Sequence, residues 1–201
     1  WANLAVEGHF YAEKPWWDYH ERFAAPLSKI VGAKPSEVSV MNTLTVNLHM
    51  MMVSFYAPTE KRFKIICEEK AFPSDQYMFQ TQVKYRGLDP KDVIVEVKRR
   101  EGEHNLRNED IIAKINEVGD ELALVLIGGI NYYTGQVLDM KAITEAGHKV
   151  GAKVGWDLAH AAGNIELKLH DWNVDFACWC SYKYMNAGPG SVSGYFVHEK
   201  H

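Results

Sequence analysis

Lys153-Val154-Gly155-Trp156-Asp157-Leu158-Ala159-His160 is the stretch that decides the reading of this chain. Lys153–Trp156 reads as a short buried strand, flanked by Gly151 and Gly155. A carboxylate, Asp157, falls at its carboxyl end, and His160 follows in a short helix near Ala159–Gly163. The same unit recurs on both sides. Strands are predicted at Glu37–Met41, Phe63–Cys67, Val93–Val97, Ala123–Gly128, Phe176–Ser181 and Ser193–His198. Several are continuous apolar runs, which suits strands covered on both faces. Helices are predicted between them at Leu44–Tyr56, Asp75–Tyr85, Asn108–Val118 and Met140–Val150. Strands alternating with helices predict a three-layer α/β/α fold on a mostly parallel central sheet, with right-handed crossovers.

Residues 1–35 stand apart in composition, with Trp1, Phe10, Tyr11, Trp16, Trp17, Tyr19 and Phe23. They predict an aromatic-rich helical segment that packs on the sheet or on a partner. Residues 36–201 form the α/β domain. Arg99–Asn105 reads as a charged, solvated connector, and Gly188-Pro189-Gly190 as a tight turn before the last strand. The chain starts at Trp1 and stops at His201 just after a strand-like run, so both ends are expected to continue in a longer protein.

At 201 residues and net charge -4 the chain can bury a real core and carries no basic stripe, which disfavours nucleic acid and anionic membranes as partners. The longest apolar stretch, Leu44–Tyr56, is interrupted by Asn47, His49 and Ser54 and is too short to span a bilayer. Three scattered cysteines, Cys67, Cys178 and Cys180, make no disulfide framework and fit a reducing cytoplasm. They read as buried thiols. Neither Cys178-Trp179-Cys180 nor His198-Glu199-Lys200-His201 has metal-site spacing, so no metal is expected. His148 and His170 show no partner in the sequence and read as surface or structural residues.

In open α/β sheets ligands bind beyond the carboxyl ends of the strands. After the first strand, Asn42-Thr43-Leu44-Thr45 opens a helix, either a phosphate site or an ordinary N-cap. After the second comes Ala71-Phe72-Pro73-Ser74-Asp75, with an aromatic on a stiff loop and two candidate caps. Ala123–Gly128 leads to Tyr132-Tyr133-Thr134-Gly135, and the last two buried strands deliver Asp157 with His160, and Tyr182 with Lys183. A carboxylate and a lysine at such positions suit pyridoxal phosphate (PLP): the aldehyde needs an amine, and the pyridine nitrogen needs an anion to stay protonated. A hydrolase triad has no G-x-S-x-G elbow to support it, and Gly188–Gly194 lacks the Lys-Ser/Thr of a P-loop.

Met41-Asn42-Thr43-Leu44-Thr45-Val46-Asn47-Leu48-His49, Ala71-Phe72-Pro73-Ser74-Asp75, Tyr133-Thr134-Gly135-Gln136, Asp157-Leu158-Ala159-His160-Ala161 and Trp179-Cys180-Ser181-Tyr182-Lys183-Tyr184 together resemble the kynureninases. Those enzymes sit in the class-V aminotransferase group of fold-type-I PLP proteins. The resemblance implies that PLP condenses with Lys183, which then moves the substrate Cα proton, with Tyr182 as a second catalytic group. It implies Asp157 on the pyridine nitrogen, Phe72 stacked on the ring, Leu44, Thr45 and Tyr182 on the phosphate, and Asp75 and His160 on the ring or its substituents. His9 would approach the aryl end of the substrate. The implied reaction is hydrolysis of L-kynurenine or 3-hydroxy-L-kynurenine to the anthranilate and L-alanine, in tryptophan catabolism and NAD biosynthesis, by a cytoplasmic homodimer.

Two departures stand out: Gly128 replaces a serine that some relatives place near the phosphate, and the family's small C-terminal domain is absent from these residues. The rivals are another class-V enzyme, such as a cysteine desulfurase, and a non-catalytic α/β domain. Tyr182 before the lysine and Phe72 over the ring, where desulfurases place histidines, disfavour the first.

Overall fold

The structure is a computed structural model that describes residues 1–201. All seven predicted strands are present: β1 (Val38–Val40), β2 (Lys64–Glu68), β3 (Ile94–Val97), β4 (Leu122–Gly128), β5 (Lys153–Asp157), β6 (Phe176–Trp179) and β7 (Gly194–Val197). They form one sheet in the order β1-β7-β6-β5-β4-β2-β3. The run from β3 to β6 is parallel, and β7 is antiparallel to both β6 and β1. The helices are α1 (Gly8–Tyr11), α2 (Ala24–Val31), α3 (Leu44–Phe55), α4 (Pro73–Tyr85), α5 (Pro90–Val93), α6 (Asn108–Val118) and α7 (Met140–Lys149).

Side chains alternate along each strand, so the sheet has two apolar faces. Ile66, Val125, Val154, Trp156, Ala177 and Trp179 meet α2, α6 and α7 on one side. Ile65, Cys67, Leu126, Phe176 and Cys178 meet α3, α4 and α5 on the other. This is the predicted α/β/α sandwich. The sheet also dictates Gly155: a Cβ there would sit 2.1 Å from the ring of Phe176 on the neighbouring strand. Trp156 is fully buried, and its indole N–H donates to Thr144 Oγ1 at 3.1 Å, so even this large ring leaves no unpaired donor.

The strand order places the site. From β2 the chain moves to β3, then returns past β2 to reach β4. Right-handed crossovers in opposite directions put α4 and α6 on opposite faces of the sheet. A crevice therefore opens at the carboxyl ends of β2 and β4, where the winding reverses.

Two expectations need correction, and two become specific. Residues 159–163 form turns, not a helix: Asp157 Oδ1 accepts the Ala159 N–H at 2.8 Å, and Gly163 at φ +82 ends the turn. The sixth strand stops at Trp179, two residues early, because β7 pairs no further than Trp179. The first 35 residues are helical in short 3-10 and α segments, and only α2 enters the core through Val31, with Ala24 and Leu27 beside it. His148 and His170, read as surface or structural, are structural, with partners far away in sequence: Asp175 Oδ2 at 2.7 Å and Glu37 Oε1 at 2.8 Å.

These two carboxylates pin the lower edge of the sheet. Asp175 also accepts the Val154 N–H at 2.7 Å and meets His201 Nε2 at 2.7 Å. Burial pushes its carboxyl up, but His148, the Val154 N–H and His201 more than offset that and hold it well below the usual range. Glu37 accepts the N–H groups of Lys34 and Glu199 and lies beside the stacked rings of His170 and His198. Cys67, Cys178 and Cys180 are buried free thiols.

Asp175→Ala leaves the buried Val154 N–H unpaired and takes the shared partner from His148 and His201, and a loss of about 1–3 kcal/mol is expected in urea unfolding. A carboxyl held below its unfolded value stabilises above about pH 4, and that contribution fades as pH falls through the folded value. The wild type should therefore lose stability on acidification more steeply than Asp175→Asn. Equal acid slopes would show that Asp175 does not anchor this edge.

Candidate functional site

Five strand ends converge on one cavity of about 250 Å³. Thr43, Leu44 and Thr45 come from the start of α3, Phe72, Ser74 and Asp75 from the start of α4, and Asp157 with His160 from the end of β5. Tyr182 and Lys183 follow β6, and Glu68, Gly128, Ile130 and Tyr132 complete the wall. Every residue expected at the cofactor is among them. His9 is not: its Nδ1 lies 2.8 Å from the Val6 carbonyl and its ring packs edge-on to Trp16.

Each position follows from local sequence. Asn42 adopts a left-handed φ of +55, which turns the chain out of β1. Thr43 then caps α3, its Oγ1 accepting the Val46 N–H at 3.4 Å. The free N–H groups of the next residues face the cavity at the positive end of the helix dipole. Phe72 precedes Pro73 at the first position of α4, which keeps its backbone extended and holds the ring out of the core. The ring is 42 % exposed and stands edge-on to Tyr132, with centroids 5.3 Å apart.

Lys183 points into this space. Its Nζ is 3.0 Å from His160 Nε2, 5.8 Å from the centre of the Phe72 ring and 5.9 Å from that of Tyr182. Burial, then the Lys183 charge, lowers the His160 pKa, so the imidazole is neutral and accepts from the lysine. Burial and Cys180 raise the Tyr182 hydroxyl, which keeps its proton.

The opposite wall is acidic. Asp157 is raised by burial, against the N–H of Ala159, the Asp75 carboxyl, Lys183 and His160, all of which favour its anion. Burial and the neighbouring Asp157 push Asp75 up to about 9. The two are coupled: Asp157 pushes Asp75 toward its neutral form, while Asp75 favours the anion at Asp157. Burial also pushes Glu68 up to about 7. Glu68 was not foreseen from sequence, although it ends its strand in the place that Asp157 holds in β5. Tyr132 was noted only as part of a loop.

PLP fits what is present: helix N–H groups for a phosphate, an aromatic face for a ring, a primary amine for an aldehyde, and a buried acidic wall short of cations.

The aminotransferase class-V family profile matches residues 18–194. A protein named kynureninase from Flavobacterium psychrophilum is 81% identical over 201 residues, 100% of this chain and 47% of its own length. Another of that name, from Nematostella vectensis, is 59% identical over the whole chain and 43% of its own. The chain thus spans about half the length of these relatives. Among solved structures, a cysteine desulfurase from Thermococcus onnurineus superposes with a TM-score of 0.75 at 19% identity, covering 90% of this chain and 42% of that one. A ureidoglycine-glyoxylate aminotransferase from Bacillus subtilis gives 0.71 at 18%, over 90% and 44%. These likenesses show the fold.

Phe72→Ala is expected to leave the melting temperature nearly unchanged, because the ring lies outside the core. It should weaken PLP binding by about 0.5–1.5 kcal/mol, roughly 2- to 12-fold. Fluorescence titration of the apo protein and a melting curve give both values. A large drop in melting temperature with unaltered affinity would assign Phe72 to packing.

Proposed function

The chain belongs to the class-V aminotransferase family, and from that premise we propose that it is the cofactor-binding part of a kynureninase. In this reading it hydrolyses L-kynurenine or its 3-hydroxy form to the corresponding anthranilate and L-alanine. One observation carries the proposal. The amine of Lys183, the acidic wall around Asp157, the Phe72 ring and the start of α3 all face one cavity. The identity to proteins named kynureninase, 72–81% over the whole chain in three of them, favours this activity over desulfuration, for which the likeness is one of fold alone.

Bound here, PLP supplies an aldehyde that condenses with amines and a protonated ring that accepts the electron pair left at the substrate Cα. Lys183 would hold the cofactor through its amine and, as a free amine, would take the proton from the substrate Cα. Neutral His160 accepts a hydrogen bond from Nζ and orients the amine. Asp157 would hold the proton on the ring nitrogen, with Asp75 favouring its anion. Leu44 and Thr45 hold the phosphate through the helix start, and Phe72 fixes the ring plane. Tyr182 keeps its proton and would deliver it to the substrate Cβ.

We assign residues 36–201 to the α/β domain, with residues 1–35 as an aromatic segment on its flank. Trp1, Phe10, Tyr11 and Trp17 are 62–78 % exposed, which supports a covering partner, a second copy of the whole protein. His9, in the same segment, would reach the aryl end of the substrate only in that assembly. No helix is long and apolar enough to cross a membrane. A cytoplasmic enzyme fits three free cysteines.

Borohydride reduction of the PLP-loaded full-length protein, followed by peptide mapping, is expected to place the label on Lys183. The same preparation should release anthranilate from kynurenine. A label on another lysine would overturn the assignment of Lys183, and desulfuration of cysteine without kynurenine cleavage would favour the rival.

A further inference from the structure

Glu68 is the one carboxyl of the cavity wall without a role in the reading above. It ends β2, is 6 % exposed, and its Oε1 accepts the Gly128 N–H at 3.2 Å. That bond ties β2 to β4 at the point where the crossovers reverse. A Cβ at Gly128 would stand 3.1 Å from the same oxygen, so glycine and carboxyl are fitted to each other. No lysine, arginine or histidine pairs with Glu68, although its neighbour Glu69 pairs with Arg99 outside the cavity at 3.5 Å. The charged groups around it are Asp75 from α4, Asp157 from β5, and His160 and Lys183 across the cavity. Glu96, on β3, lies beyond Cys67.

We propose that Glu68 is a positioning residue of the cofactor site: it fixes the Gly128 backbone at the cavity wall and adds a second negative group, behind Asp157, that holds a cationic ring. The inference rests on the PLP reading. A buried carboxyl without a cation takes up a proton, whereas one beside a protonated pyridine gives it up. The Glu68 carboxyl, raised to about 7 by burial with Asp157 adding, is poised to change state when the cavity fills.

The sign follows from linkage. A carboxyl raised in the folded state stabilises below its unfolded value, near 4.3, and that contribution is lost as pH rises through the folded value. The apo full-length protein should therefore lose stability between about pH 5 and pH 8, and Glu68→Gln, which keeps an acceptor for Gly128, should lack that step. The melting temperature of Glu68→Gln minus that of the wild type should grow by roughly 4 °C or more over this range. In the PLP-loaded protein, removing the charge should lower the pH midpoint of the bound cofactor's absorption change by about half a unit. Glu68→Asp, which keeps the charge, should stay near the wild-type midpoint.

Parallel melting curves and an unmoved midpoint would overturn the role of Glu68. Infrared spectra of the apo wild type give a test without substitution. A protonated carboxyl band lost with a midpoint near 7, and lost again on adding PLP, supports the proposal; its absence contradicts it. Failure of the wild type to bind PLP would sink the functional reading itself, whereas unchanged curves in a protein that binds PLP would sink only Glu68.

Discussion

Three carboxyl groups, Glu68, Asp75 and Asp157, are buried at neighbouring strand ends around one cavity. Burial drives each toward its neutral form, and Asp157 adds to this at Glu68 and Asp75, whereas Asp75, Lys183 and His160 favour the anion at Asp157. Such a wall is costly in an isolated domain, since a buried charge without a counter-charge forfeits hydration. It becomes favourable when a cation enters. In the proposed reading these same buried groups select a ring carrying a proton. Lys183 and neutral His160, on the far side, hold the amine without cancelling the acidic wall.

The fold delivers this arrangement through strand order more than through local sequence. Reversing the winding between β2-β3 and β3-β4 opens the crevice at Glu68 and Gly128. Parallel pairing sets Gly128 opposite Asp157. The antiparallel β7 then brings β1 alongside, so that the start of α3 reaches the same rim. Asp175 and Glu37 hold the opposite edge through histidines, so charge is paired where the fold is fastened and left unpaired where a cofactor enters.

The strands were legible because buried parallel strands read as apolar runs, and their ends named most of the site. Asp157, Lys183 and Phe72 could be picked out since each lies at the end of such a run or within a few residues of it. Glu68 was not, because Glu68-Glu69 resembles a solvated pair; only the sheet shows that one faces the cavity and the other Arg99. The partners of His148 and His170 lie 27 and 133 residues away, beyond any local pattern. The turn at 159–163 looked helical because the side-chain cap from Asp157 mimics a helix start. His9 carries no local signal for its position, and the short segments around it bury little of their own surface.

The central claim is that the acidic wall keeps the cofactor's ring nitrogen protonated through Asp157. The most direct test is the ¹⁵N chemical shift of the pyridine nitrogen in labelled PLP bound to the full-length protein. A protonated nitrogen across neutral pH in the wild type, and an unprotonated one in Asp157→Asn, is the predicted result. An unprotonated nitrogen in the wild type, or a protonated one that survives loss of the Asp157 charge, would contradict the account.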